Sequence, residues 1–183
     1  MAKQTYIALL RGINVGGNNK LPMKDLTAII EKLGGAKVQT YIQSGNVVFQ
    51  AEAALAPKLP ELIQKGILKS NKIVVPVIVR SAAELRKIAA AHPHNAAGIE
   101  FKALHVGFLA QKPSPAQVAS LDPQRSPADI FSVKGSEIYI RFGVDGVAKS
   151  KLTNQYMDSK LGTTSTLRNW NTVLKLNEMA AQA

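Results

Sequence analysis

The chain has 183 residues, of which 46% are hydrophobic and 19% charged, enough for one large domain or two small ones with a true core. It contains no cysteine, which excludes a disulfide framework, a thiolate metal site and a cysteine nucleophile. A net charge of +11 favours anionic partners such as nucleic acid or phosphorylated metabolites, although aromatic residues make up only 5% and no run of like charges occurs.

The start, Met1 to Gln4, leads directly into a strand-like segment without the apolar stretch of a signal peptide. The longest aliphatic run, Ile73 to Val79, is broken by Pro76 and far too short to span a bilayer. A cytoplasmic protein with no membrane partner is expected.

Thr5–Arg11 reads as a buried strand. After a long loop, Pro22 suits the first turn of a helix with Leu26, Ile29, Ile30 and Leu33 on one face, stopped at Gly34 and Gly35. Val38–Ser44 and Val47–Gln50 are predicted strands joined by Gly45 and Asn46 as a two-residue hairpin turn. Leu59, Leu62, Ile63 and Ile67 mark a second helix, and Ile73–Val79 a fourth strand. This order is that of the βαββαβ, ferredoxin-like unit, whose strands lie 4-1-3-2. The fourth strand is then an edge, where Pro76 is tolerated because it cannot donate to a ladder.

Ser81 and Glu84 form a capping-box pattern opening a linking helix to about Ala91, and residues 92–98 are turn formers without periodicity. The pattern then restarts. Leu104–Ala110 is a strand, and Ser114 to Gln117 is a second capping box with proline at its first helical position. Ile130–Val133 and Ile138–Arg141 flank a turn at Gly135 and Ser136. Leu152–Leu161 is a helix ended by Gly162, Thr163–Leu167 a last strand, and a terminal helix begins near Asn169 and buries Trp170, Val173 and Leu174. The expected fold is α+β: duplicated ferredoxin-like units over residues 1–80 and 99–183, with a linking helix and loop over 81–98 and a C-terminal helix. The duplication rests on element order, with no residue-level identity between the halves.

The halves differ after their first strands. The second has a short connection, Gln111 to Pro113. The first has Gly12 to Leu21, long and rich in glycine and asparagine, with no structure of its own. Gly12, Gly16 and Gly17 allow backbone N–H groups to turn toward a ligand, with Asn14, Asn18, Asn19 and Lys20 beside them. Gly12 and Gly17 have the Walker spacing, but Asn18 and Asn19 stand where lysine and serine or threonine belong, and no Gly-x-Gly-x-x-Gly occurs. In the βαββαβ unit the loop after strand one and the hairpin between strands two and three share one end of the sheet. Arg11 is therefore expected about 5–10 Å from Ser44, Gly45 and Asn46, with Gln43 alongside, in one polar, cationic edge. The alternative is that Arg11 braces the loop while Asn and Gly only satisfy turns.

Other constellations are poorer. His92 and His94 flank a proline with no third ligand, as exposed loop residues do, and no metal or cofactor is expected. His105, in mid-strand, reads as structural. Asp25, Glu31 and Glu84 fall on helices as solvated faces, so paired-carboxylate chemistry has no support. Lys149, Lys151 and Arg168 are a second basic set, and Arg168 with Asn169 caps the start of the final helix, where an anion would be favoured. RNA recognition would need base-stacking aromatics, for which Tyr6, Tyr41 and Phe49 are available, but the Arg/Lys-Gly-aromatic signature is absent.

Ala8 to Gly17, then Met23 and Leu26, then Thr40 to Phe49, resemble the bacterial family called domain of unknown function 1697, and Leu167 to Val173 is similar to that family's C-terminal motif. The resemblance spans essentially the whole chain. It implies a duplicated ferredoxin-like fold in a cytoplasmic bacterial protein and no particular activity. Its motif positions are Arg11, Gly12, Asn14, Gly16, Gly17, Ser44, Gly45, Asn46, Arg168, Asn169 and Thr172, carried over as site candidates without roles. Three readings follow: a protein binding an anionic or phosphate-bearing small molecule at the loop and hairpin edge, a nucleic-acid-binding protein, or an enzyme without a standard motif. Homo-oligomerisation through edge strands is compatible with each.

Overall fold

The computed structural model describes residues 3–183. It is a mixed α+β fold with two four-stranded antiparallel sheets. The chain divides into two compact units. One runs up to Lys87 and includes Lys175–Ala183, and the other is Ile88–Leu174.

In the first unit β1 (Lys3–Leu10), β2 (Ala36–Tyr41), β3 (Asn46–Glu52) and β4 (Val77–Ser81) pair in the order β2-β3-β1-β4. Helices α1 (Met23–Lys32) and α2 (Leu59–Asn71) cover one face. Alternation decides which residues they bury: Tyr6, Ala8 and Leu10 of β1 and Val47, Phe49 and Ala51 of β3 join Leu26, Ile30, Ile63 and Ile67 in one core. The alternate residues Ile7, Leu9, Val48 and Ile78 are also buried, so both faces of this sheet are shielded. That explains why β1 reads as a continuous apolar run rather than an alternating one.

Two boundaries differ from the sequence reading. Pro76 lies just before β4, which is an edge strand, and serves only through its carbonyl, which accepts the Arg11 N–H at 3.0 Å. The hairpin between β2 and β3 turns over four residues, Ile42 to Gly45, and Asn46 pairs with Tyr41 inside the ladder. Tyr6 and Phe49 are cross-strand partners within the helix-covered core, with ring centroids 6.2 Å apart. They offer no exposed face on which a base could stack.

The second unit has β5 (Leu104–Leu109), β6 (Ile130–Lys134), β7 (Glu137–Arg141) and β8 (Ser165–Asn169) in the order β6-β7-β5-β8. Gly135 and Ser136 form its two-residue hairpin turn, since Lys134 and Glu137 close the ladder. Helix α4 (Pro115–Ala119) opens on the expected capping box, with Ser114 and Gln117 bonding reciprocally. Thr153 caps α5 (Asn154–Leu161), which Gly162 ends in the left-handed region. Helix α3 (Ala82–Ala89) likewise follows a box in which Glu84 accepts the Ser81 N–H at 2.8 Å. The last strand lies two residues later than the pattern suggests, and Asn169 caps α6 (Trp170–Gln182) by accepting the Asn171 N–H at 3.0 Å. No helix among the described residues is long and apolar enough to cross a membrane.

The histidines depart most from expectation. His92 is buried rather than exposed, its ring set edge-on to Tyr139 at 5.3 Å and Trp170 at 5.1 Å. Its Nε2 lies 3.0 Å from the His105 carbonyl, and His94 Nε2 lies 3.0 Å from Ser132 Oγ. Among the described residues no cluster of three or more metal-ligating side chains occurs. Burial lowers the pKa of all three imidazoles, and that of His105, packed edge-on to Phe142, falls to about 4.

Well above pH 6.5 these groups are neutral whether the chain is folded or not, and they make no difference to stability. As the pH falls from 6.5 toward 4, the unfolded chain takes up protons that the folded one excludes, so stability drops. His105 alone accounts for a loss of about 3 kcal/mol once the pH is below 4. Urea denaturation at pH 7.5, 5.5 and 4.5 is expected to show this decline, with a shallower one in His105→Gln.

Candidate functional site

The end of the first sheet carries most of the residues that the sequence singles out. Arg11 follows β1, and its backbone N–H continues the β1–β4 pairing through Pro76. On the other side the Leu10 N–H donates to the Gly45 carbonyl at 2.8 Å, bringing the hairpin turn against the start of the loop. The approach is closer than any side chain would allow. A Cβ at Gly45 would stand 2.6 Å from Leu10 Cβ and 2.9 Å from Ile13 Cδ1, and Gly45 has φ +77°. Gly45 is therefore a packing residue as well as a turn residue.

The loop has structure of its own, contrary to the sequence reading. Val15 and Asn18 form a β-bridge around Gly16 and Gly17, both at positive φ, as in a miniature hairpin. The Asn14 N–H donates to the Asn19 carbonyl at 3.2 Å, and Asn19 Nδ2 returns to the Gly12 carbonyl at 2.9 Å. Ile13 is buried beneath this ring of bonds, while Gly12 and residues 15–20 are exposed.

Asn14 joins loop to hairpin. Its Nδ2 donates to the Gln43 carbonyl at 2.9 Å and the Leu21 carbonyl at 3.0 Å, while its Oδ1 accepts the Leu21 N–H at 2.9 Å. Three local bonds occupy the carboxamide, so Asn14 is a brace and not a free ligand group. Asn46 is fully buried in the ladder, its Nδ2 donating to the Tyr41 carbonyl and to Ser44 Oγ. Exposed at this end are Gly12, residues 15–20 with the Asn18 and Lys20 side chains, and Gln43, with Arg11, Asn14 and Ser44 half-buried beside them. Segment 11–21 carries two cations and no acidic residue.

Arg168 and Asn169 belong to the second unit and are structural there. Arg168 lies within β8, not at a helix cap. Its Nη1 donates to Thr166 Oγ1 and the Leu167 carbonyl, both at 2.9 Å, and burial lowers its pKa to about 10. Asn169 Nδ2 donates to the Lys102 carbonyl at 3.0 Å while its Oδ1 caps α6. Lys149 ion-pairs with Asp145, and Lys151 is exposed before α5. The pairing register also reveals a match between the halves that the sequence does not show: Arg80 faces Ile7 across β4 and β1 as Arg168 faces Val106 across β8 and β5. Both arginines are about 8% exposed, and each immediately precedes the residue that opens the next helix.

The family model described as "Protein of unknown function (DUF1697)" matches residues 3–139. The chain belongs to this family. The match contains the whole Arg11 loop and hairpin, whereas Arg168 and Asn169 lie beyond it. DUF1697 carries no stated activity in that description. Among solved structures, the conserved bacterial protein SP0830 from Streptococcus pneumoniae is similar in fold, with a TM-score of 0.68 and 24% identity over 98% of this chain and 99% of that one. None of the curated proteins matches the chain.

The geometry separates glycines that serve packing from those that serve only the turn. Gly45→Ala forces a Cβ into Leu10 and Ile13 at positive φ and is expected to destabilise the chain by about 2–4 kcal/mol. Gly16→Ala, with open space around it, is expected to lose only about 1–2 kcal/mol. Denaturant midpoints of the two variants test the ranking.

Proposed function

We propose that this protein binds a phosphate-bearing anion at the end of its first sheet, with Arg11, Lys20 and the backbone of Gly12 and residues 15–20 as the binding groups and Gln43, Ser44 and Gly45 as the opposing wall. The observation that carries this reading is the Asn14 brace, which fixes the glycine-rich loop against the hairpin through the Gln43 and Leu21 carbonyls. A fixed loop presents its N–H donors and its cations without an ordering penalty at the moment of binding. Asn14, Asn46, Arg168 and Asn169 then act as scaffold, and Gly12, Gly16 and Gly17 supply backbone that a phosphate can approach.

We also read the two units as a duplicated ferredoxin-like fold in a cytoplasmic bacterial protein. The equivalent strand orders and the paired placement of Arg80 and Arg168 support the duplication.

Thermal unfolding with inorganic triphosphate and with ATP tests the binding reading. Both are expected to raise Tm in the parent chain, and Arg11→Ala or Lys20→Ala is expected to remove most of the rise. An equal rise in Arg11→Ala, matched by single-stranded DNA and abolished by salt, would instead assign the effect to the diffuse +11 surface.

A further inference from the structure

The second unit holds a cavity of its own. It has a volume of about 640 Å³, within the range of about 300–1,000 Å³ usual for small-molecule sites. It lies at the end of the sheet where β5 begins and β7 ends, between residues 98–103 and 141–146. Ile99, Ala103, Phe142 and Val144 line it together with Lys102 and Arg141.

Its walls are tied together. The Phe142 N–H donates to the Ala103 carbonyl at 2.9 Å, Asn169 Nδ2 holds the Lys102 carbonyl at 3.0 Å, and the Gly143 N–H donates to Asp129 Oδ1 at 2.9 Å. Asp129 is itself buried and accepts from Ser150 Oγ. The space therefore belongs to the folded unit and does not wait for a loop to close.

Two independent features describe what would fill it. The first is charge. Lys102 is answered by Glu100 at 2.6 Å, whereas the half-buried Arg141 side chain makes no ion pair with a carboxylate among the described residues and instead lies near enough to His94 to lower the pKa of that imidazole. The cavity is thus lined by one arginine without an anionic partner, a residue type suited to bidentate recognition of a carboxylate. The second is apolar exposure. Eight large hydrophobic residues are exposed among the described residues, and three of them, Phe101, Ile130 and Val144, lie on the segments that border this cavity or pair with them. Such a concentration around a recess marks a binding surface more often than chance exposure does.

We infer that this cavity binds a small organic monoanion, a carboxylate with an aromatic or medium-chain aliphatic body, with the anion on Arg141 and the body against Ile99, Phe142 and Val144. A single net positive charge distinguishes it from the loop at Arg11, which is read as a phosphate site.

The probe is 8-anilinonaphthalene-1-sulfonate, an aromatic monoanion whose fluorescence rises in apolar surroundings, titrated into the full chain. Saturable binding at one site is expected, displaced by octanoate or 4-phenylbutyrate and not by inorganic phosphate. Arg141→Met should weaken it by at least about tenfold, as expected for a charge-assisted contact, while Arg11→Ala leaves it unchanged. Val144→Asp places a like charge at a fully exposed position on the rim, where folding is not at stake, and should weaken the probe similarly. Absence of saturable binding overturns the assignment. So does an affinity that neither Arg141→Met nor Val144→Asp alters, and if Arg141→Met unfolds, Val144→Asp alone decides.

Discussion

Where the backbone of Gly45 passes Leu10 there is no room for a side chain, and the geometry of the first unit's polar end follows from that contact. Because the two backbones touch, the Leu10 N–H reaches the Gly45 carbonyl and β1 and the hairpin turn end level with one another. Ile13 is then drawn into the core beneath Gly45, which turns the next residue, Asn14, toward Gln43 on one side and Leu21 on the other. The bonds that Asn14 makes there leave residues 15–18 no shorter path than a tight reversal, which Gly16 and Gly17 supply. A loop that looks merely flexible in composition is thus specified step by step from one apolar contact.

This explains which parts of the fold were legible in the sequence. Element order, both capping boxes and the Gly135–Ser136 turn could be read because each depends on residues within four positions of one another. In the sequence Gly45 fits as half of a two-residue turn. Local chemistry permits that reading, and only the long-range neighbours Leu10 and Ile13 reveal the packing role. A two-residue turn would place Asn46 at its tip as an available amide, whereas Asn46 pairs with Tyr41 in the ladder and is buried. The burial of His92 is hidden for the same reason: its neighbours in sequence are turn formers, while the rings that bury it, Tyr139 and Trp170, are 47 and 78 residues away. The cavity beside Arg141 had no sequence signal, since its lining comes from separated segments that share no motif.

The arginines show how register exposes a relation that alignment of the halves misses. Arg80 follows Val-Ile-Val and Arg168 follows Ser-Thr-Leu, so nothing in their immediate sequence suggests equivalence. Both nevertheless sit one residue before a helix-opening Ser81 or Asn169, opposite a buried aliphatic residue of the unit's first strand. Arg80 donates to the carbonyl of the preceding residue, Val79, as Arg168 does to Leu167. The same structural task, bonding back to the preceding carbonyl near the end of the unit's last strand, is met by the same residue type in both units.

Arginine is suited to that task because its charge survives burial. Even with its pKa lowered to about 10, Arg168 stays protonated at neutral pH, whereas a lysine so deeply buried would tend to lose its proton and with it the drive to donate. A buried guanidinium is a rigid donor array and contributes little to the field that an approaching ligand senses. Formal charge therefore overstates the binding surface. Arg80 and Arg168 are withdrawn into the fold, and Lys65, Lys102, Lys149 and Lys175 are answered by Glu61, Glu100, Asp145 and Glu178. The net charge of +11 says that anions are welcome somewhere, but location comes from cations set against organised backbone or an apolar recess. Arg11 and Arg141 are the two arginines that meet this criterion, the first beside a braced glycine loop and the second in a walled cavity, and so they are read as sites where the more deeply buried arginines are read as scaffold.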